Sequence, residues 1–179
     1  MTHLGREKEI EQTTLRCALV LWELSAPFAL LVSAVVRYAI WPVIVATGRP
    51  HSLGSFKNQM QHNVNSVYVL SELALMGGPP LEFAHMSLPT LVGTIYILFT
   101  WFNCYFYAAP EFGPQYIYWF MDPTLGKATT IALIALVGTL MMSFVTFTAL
   151  DTFIEWMGKS LITHLFSVAI VSAAVIKTR

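Results

Sequence analysis

Long apolar runs alternate with short polar segments along this chain. The runs cover about residues 17–41, 60–76, 88–107 and 128–150. A run of about 20 apolar residues is long enough for a helix that crosses a bilayer, and such runs are far too long for the strands of a soluble protein. The pattern therefore predicts an all-α, polytopic helical membrane protein with four transmembrane helices.

The two ends of the chain differ from this central region. Residues 1–16 are charged and polar and are too acidic for a signal or transit peptide, so we interpret them as a short polar helix that precedes the transmembrane domain, residues 17–160. Residues 161–176 form a further apolar helix of only sixteen residues. It would be a fifth span, lie in the membrane interface or pack on its neighbours.

The composition supports a membrane location. Hydrophobic residues make up 56% of the 179 residues and charged residues only 11%, whereas soluble domains have about 25% charged residues. Ten Lys and Arg balance ten Asp and Glu, so no net positive field attracts nucleic acid. Membrane lipids are the expected surroundings, and nucleic acid is excluded as a partner; the sequence does not indicate which membrane.

The second span is unusually polar. On a helix that turns 100° per residue, His62, Asn65, Ser66 and Glu72 share about one third of the surface. Lipid cannot satisfy these groups, so the stripe must face other helices or a cavity. His62 and Glu72 lie about 15 Å apart along the helix axis, too far for a direct hydrogen bond.

Two interpretations of the stripe remain open. In the functional one, His62 is a general base or proton shuttle, and Asn65 and Ser66 orient it or a substrate group. In the structural one, the stripe is a hydrogen-bonded seam between helices, with partners among Arg37, Glu23, Thr94 and Asn103.

His85 lies just before the third span. It is either a second catalytic or ligand group or an ordinary loop histidine at the interface. His62 and His85 are 23 residues apart in the sequence and lack a further ligand at helical spacing, so no metal site is predicted. No P-loop or dinucleotide-binding motif is present, and no cofactor is predicted.

Several short motifs together resemble two related groups of membrane proteins. The chain is similar to the androgen-inducible transmembrane hydrolase family and to the rolling stone-like proteins over roughly residues 22–160. The motifs are HNVNSVYVLSE at 62–72, Pro79-Pro80, His85 with Pro89, YILFTW at 96–101 and YWFMD at 118–122. Trp119 stands where the family usually has proline, and the family's two N-terminal spans have no counterpart here.

The resemblance implies a chemistry. The hydrolases cleave fatty acid esters of hydroxy fatty acids with an intramembrane threonine nucleophile and a histidine base, and His62 matches that histidine. The nucleophile's span has no counterpart, so the resemblance leaves three alternatives: another hydroxyl near His62, such as Ser66 or Thr94, a fold that has lost the reaction, or an incomplete sequence.

Three hypotheses follow from the sequence. The first is a fatty-acyl ester hydrolase-like membrane protein, active or inactive, with His62 and Ser66 as catalytic residues and a polar cavity formed by Asn65, Glu72, His85 and Thr94. The second is a non-catalytic scaffold or subunit of a membrane complex, completed by partner subunits or further copies of itself. The third is a proton or small-solute pathway through His62 and Glu72.

Overall fold

A computed structural model describes residues 3–48, 55–76, 79, 81–107, 116, 118–158 and 160–176. These residues are almost entirely helical, and none of them lies in a strand. Pro80 and residues 108–115 of the loop before the YWFMD motif lie outside this part. The helices are α1 (His3–Val35), α2 (Trp41–Ala46), α3 (Phe56–Gln59), α4 (Asn65–Met76), α5 (Ser87–Tyr107), α6 (Lys127–Trp156) and α7 (Leu161–Val175).

The helical fold class is confirmed, and three helices are long and apolar enough to cross a membrane. They cover Glu11–Ala46, Phe83–Phe106 and Lys127–Trp156. The first of these continues from the polar N-terminal segment without a break, because α1 already begins at His3. The predicted polar helix is therefore the first part of the same long helix.

The predicted second and fifth spans are helical but are not among these three. The second forms one continuous helix over residues 56–76, in which a π-helical segment, Met60–Val64, joins α3 to α4. A similar π-helical segment, Val36–Ile40, joins α1 to α2. In a π-helix the hydrogen bonds run over five residues instead of four, and such segments are frequent at functional sites.

Side-chain contacts give the direction of each helix relative to α1. Ser66, near the start of α4, donates to the Ala29 carbonyl. After α4 ends, the backbone N–H of Glu82 donates to the Glu23 carboxylate. The chain thus moves from Ala29 back toward Glu23, so α4 is antiparallel to α1. His85, just before α5, contacts the Glu23 carboxylate. The start of α5 therefore lies beside Glu23, and α5 runs parallel to α1.

The long helix α6 continues the up-and-down order of the bundle. On α6, Leu140 lies level with Phe28 and Phe147 stacks edge-on with Trp22, so α6 is antiparallel to α1. We call the two ends of the bundle the Glu23 end and the Arg37 end, after these two residues of the first helix.

The C-terminal helix α7 packs against the other helices through one face. Its buried residues are Thr163, Ser167 and Val171, and Val171 belongs to the main apolar core with Leu30, Leu70, Phe144 and Phe147.

The C-terminus of α7 is hydrogen-bonded to the first helix. The Arg37 guanidinium donates to the carbonyls of Ala173 and, at 2.8 Å, Ile176, and the Tyr38 hydroxyl donates to the Ala174 carbonyl at 2.6 Å.

These bonds explain the charge within the first span. The last carbonyls of a helix have no partner within the helix, and a cation near them interacts favourably with the helix dipole. Arg37 thus provides partners for carbonyls at the end of α7 and joins that end to the first helix.

Candidate functional site

A cavity of about 340 Å³ lies between α1, α5 and α6. It follows residues 28–40 of the first helix, or about 18 Å at the helical rise per residue, and the short 3₁₀ turn Trp119–Met121 closes it toward the Arg37 end. We call it the His62 cavity. Its lining residues are Phe28, Leu31, Val32, Val35, Val36, Ile40, His62, Val92, Gly93, Tyr96, Ile97, Tyr118, Phe120, Met121, Leu136, Val137 and Leu140.

The cavity is almost wholly apolar and reaches the outside of the bundle. Polar side chains in its lining come only from His62, Tyr96 and Tyr118. Val32 and Val92 are 37% and 36% exposed and Tyr96 is 45% exposed, so the cavity opens sideways between α1 and α5. In a membrane this opening faces the acyl chains of the lipids.

The two π-helical segments meet at this cavity. Val36 and Ile40 belong to one segment and His62 to the other. The Nδ1 atom of the His62 ring is buried and has no hydrogen-bond partner among the described residues. A buried polar atom without a partner is unfavourable unless a ligand or water satisfies it.

Ser66 is buried in contacts between helices. Its hydroxyl donates to the Ala29 carbonyl at 2.7 Å and lies 2.7 Å from the Ser33 hydroxyl. Ser33 in turn donates to the backbone carbonyl of His62. We call these contacts the Ser33–Ser66 seam; both serines are 0% exposed.

The seam limits what Ser66 can do chemically. Two hydroxyl protons serve three short contacts, because each serine carries only one. The described contacts connect the seam to the His62 backbone, and none joins the Ser66 hydroxyl to the His62 imidazole. Ser66 therefore holds α1 and α4 together in this structure, and its predicted role as a nucleophile stays a prediction.

The other residues predicted for a polar cavity lie apart from it. Asn65 is exposed and donates to the Gln61 carbonyl at 3.3 Å, and Thr94 is exposed and donates to the Thr90 carbonyl at 2.9 Å. Glu72 is half-buried and contacts Tyr68, four residues earlier. None of these three lines the His62 cavity.

His85 forms a separate polar cluster at the Glu23 end. Its Nδ1 lies 2.9 Å and 3.0 Å from the two carboxylate oxygens of Glu23, and Glu23 also accepts a hydrogen bond from the Glu82 backbone at 3.3 Å. Glu23 is 0% exposed, whereas the His85 side chain is 44% exposed. The pair connects α1 to the start of α5 and gives the buried carboxylate the partner it requires.

Sequence reasoning identified His62 but missed most of its surroundings. The partners of Ser66 and His85 lie 37 and 62 residues away in the sequence, and no motif marks them. Small and hydroxyl residues within the first span are the available signal for Ser33, because such residues are typical of close helix contacts. Among the described residues, no group of three His, Cys, Asp or Glu side chains could hold a metal ion.

Comparison of the chain with protein-family models, with curated proteins and with solved structures found no match.

Proposed function

We propose that this chain is an integral membrane protein whose His62 cavity binds one acyl chain of a lipid. The observation that carries this proposal is an apolar cavity, open to the side of the bundle, with a single imidazole in its wall. Ligand sites are typically cavities of about 300–1,000 Å³ with mostly apolar walls and a few polar groups. A volume of about 340 Å³ suits one chain better than a complete two-chain lipid.

The polar part of the ligand is uncharged in this proposal. The imidazole of His62, which lines the cavity, can accept from a hydroxyl or donate to an ester carbonyl, according to its tautomer. Arg37, which follows the cavity residue Val36 on the first helix, already binds the carbonyls of α7. A monoacylglycerol or fatty alcohol satisfies His62 without bringing a charge into an apolar cavity.

We further propose that the bundle contributes five helices to the membrane. α4 and α7 are short, but each is hydrogen-bonded to the first helix, through Ser66 to Ala29 and through Ile176 to Arg37. A helix too short to span on its own is tolerated where protein covers its ends.

Native mass spectrometry tests the binding proposal. The delipidated protein is mixed with a monoacylglycerol in detergent, and the bound mass is compared between wild type, Leu136→Trp and Ile134→Trp. Leu136 lines the cavity, whereas Ile134 is on the same helix and 68% exposed. We expect Leu136→Trp to abolish the bound species and Ile134→Trp to keep it. No bound species in wild type, or equal binding in Leu136→Trp, would refute the proposal.

Ester hydrolysis is a second candidate, favoured by the His62 imidazole in the cavity wall and by the resemblance to lipid hydrolases. Since Ser66 is engaged in the seam, the route that fits is base-activated water. His62 takes a proton from water while the water oxygen bonds to the acyl carbon. The ester C–O bond then breaks, and His62 gives that proton to the leaving alkoxide.

Turnover of a fatty-acyl ester in ¹⁸O-labelled water tests this route. We expect one labelled oxygen in the released acid and loss of turnover in His62→Ala. Labelling of Ser66 by a fluorophosphonate probe would instead show a serine nucleophile, and unchanged turnover in His62→Ala would eliminate His62 as the base.

A further inference from the structure

Gly93 occupies a special place in the wall of the His62 cavity. It lies on α5 next to two side chains that come from two other helices. A Cβ atom placed on Gly93 would lie 3.2 Å from the Leu140 Cδ2 atom and 3.6 Å from the Phe28 Cζ atom. Phe28 and Leu140 also line the cavity, so a side chain larger than that of alanine at Gly93 would have to displace them or enter the cavity.

The contacts differ in how readily they can adjust. A Cβ atom at 3.2 Å from a methyl group is tighter than ordinary van der Waals contact, which is about 3.5–4.0 Å. The Leu140 methyl lies at the end of a flexible side chain, so alanine at Gly93 moves it slightly. A leucine at Gly93 has no such solution, because its larger side chain needs the cavity volume itself.

We propose that Gly93 sets the size of the ligand that the His62 cavity accepts, and so acts as a specificity-determining residue for acyl chain length. This inference rests on the proposed binding function. In a bilayer or micelle, each methylene group of the ligand is surrounded by apolar groups whether it lies in the cavity or outside it. A preference for one acyl chain length therefore comes from how well that chain fills the cavity. Gly93, Phe28 and Leu140 form one part of the cavity wall, and a larger side chain at Gly93 reduces the cavity volume there.

A second glycine provides a matched control. Gly138 lies within α6, and a Cβ atom placed there meets no atom within 4 Å. It does not line the cavity. Gly138→Leu therefore introduces the same side chain into a spanning helix at an open position, and it separates the effect of the cavity from any general effect on helix stability.

The test measures binding of a long-chain and a short-chain monoacylglycerol by native mass spectrometry. We expect Gly93→Leu to lower binding of the long chain by about fivefold or more, the consequence of overpacking by about 1 kcal/mol or more, and to retain the short chain. Gly138→Leu binds both as wild type does. Leu140→Ala extends the preference to longer chains, and Gly93→Ala combined with Leu140→Ala binds the long chain as well as wild type.

The outcomes distinguish the two claims. A wild-type protein that binds neither chain contradicts the proposed function. A wild-type protein that binds them, with a length preference changed by neither Gly93→Leu nor Leu140→Ala, contradicts only the role of Gly93. If Gly93→Leu does not fold, Leu140→Ala carries the test alone, because it removes side-chain volume from the same place.

Discussion

At the residue scale, two neighbouring polar residues of the second span have different tasks. His62 presents a ring to the cavity wall and lacks a partner for Nδ1, whereas Ser66 is fully engaged between α1 and α4. The sequence places both residues on one face of a helix. Their roles differ because α1 packs against Ser66 and leaves His62 in the cavity wall. The two residues therefore predict different consequences of substitution.

Replacing His62 with leucine tests its contact with the polar group of the ligand. We expect His62→Leu to weaken binding of a monoacylglycerol about 2- to 10-fold, since a net hydrogen bond contributes about 0.5–1.5 kcal/mol. Binding of an alkane of equal length stays unchanged. The measurement is competition against a fluorescent acyl probe, with His164→Leu as the control because His164 does not line the cavity. Equal loss for both ligands would show that His62 acts only through packing.

Replacing Ser66 with alanine tests the seam. We expect Ser66→Ala to lower the free energy of unfolding by about 1 kcal/mol, near the values for hydrogen bonds between membrane helices and the cost of a lost buried bond. Ser143 is the control, because it is also buried and bonds only to Thr139 of its own helix. Unfolding in a denaturing detergent measures both variants. A Ser66→Ala effect no larger than that of Ser143→Ala would contradict the role of the seam.

At the element scale, α7 depends on a side chain from α1. Arg37 and Tyr38 together bond to the carbonyls of Ala173, Ala174 and Ile176. A helix of fifteen residues gains much of its stability from such tertiary contacts. Arg37 is therefore a capping residue supplied from a distant part of the chain.

Substitution of Arg37 is expected to release the last turn of α7. Arg37→Ala should lower the free energy of unfolding by about 1.5–3 kcal/mol, as for hydrogen bonds to charged groups, and should speed hydrogen exchange in residues 172–176. Arg16→Ala, at an exposed position of the same helix, should change neither. Unchanged exchange in α7 after Arg37→Ala would mean that its end is held by apolar packing alone.

The helices themselves could be predicted from the sequence, but their partners could not. Each apolar run of the sequence lies within a helical region of the structure, and three helices are long and apolar enough to cross a membrane. The hydroxyls of Thr139, Ser143, Thr146 and Thr148 bond to their own helix, as expected within a membrane span. A polar stripe shows that a helix needs a partner and does not show which one. Glu23 could thus be paired with His85 only once α5 was placed beside α1.

At the scale of the whole molecule, five helical segments of the described residues alternate in direction. They are the first helix with α1 and α2, the second with α3 and α4, and then α5, α6 and α7. The turns around Gly126 and Gly158 lie at opposite ends of α6, and Ile176 lies at the Arg37 end. Both turns have a glycine with a positive φ, of 55° and 79°, a conformation that favours glycine over other residues. This arrangement predicts which parts of the chain share a side of the membrane.

Single cysteines tell whether α7 crosses with the other helices. In a variant with Cys17→Ser and Cys104→Ser, cysteine at Leu125 and at Met157 should react from opposite sides of a sealed vesicle. Cysteine at Ile176 should react from the same side as Leu125, because both lie at the Arg37 end. Reaction of Ile176→Cys from the side of Met157 would place α7 in the interface instead.

Photo-crosslinking of a lipid probe in a bilayer tests the central claim most directly. A monoacylglycerol with a diazirine in its acyl chain is irradiated with the protein in nanodiscs, and the modified residues are located by mass spectrometry. The account predicts crosslinks concentrated on α1, α5 and α6 at cavity residues such as Leu31, Ile97 and Leu136, and their loss in Leu136→Trp. Crosslinks spread over exposed residues such as Ile134, Leu98 and Ile162, with none in the cavity, would contradict it.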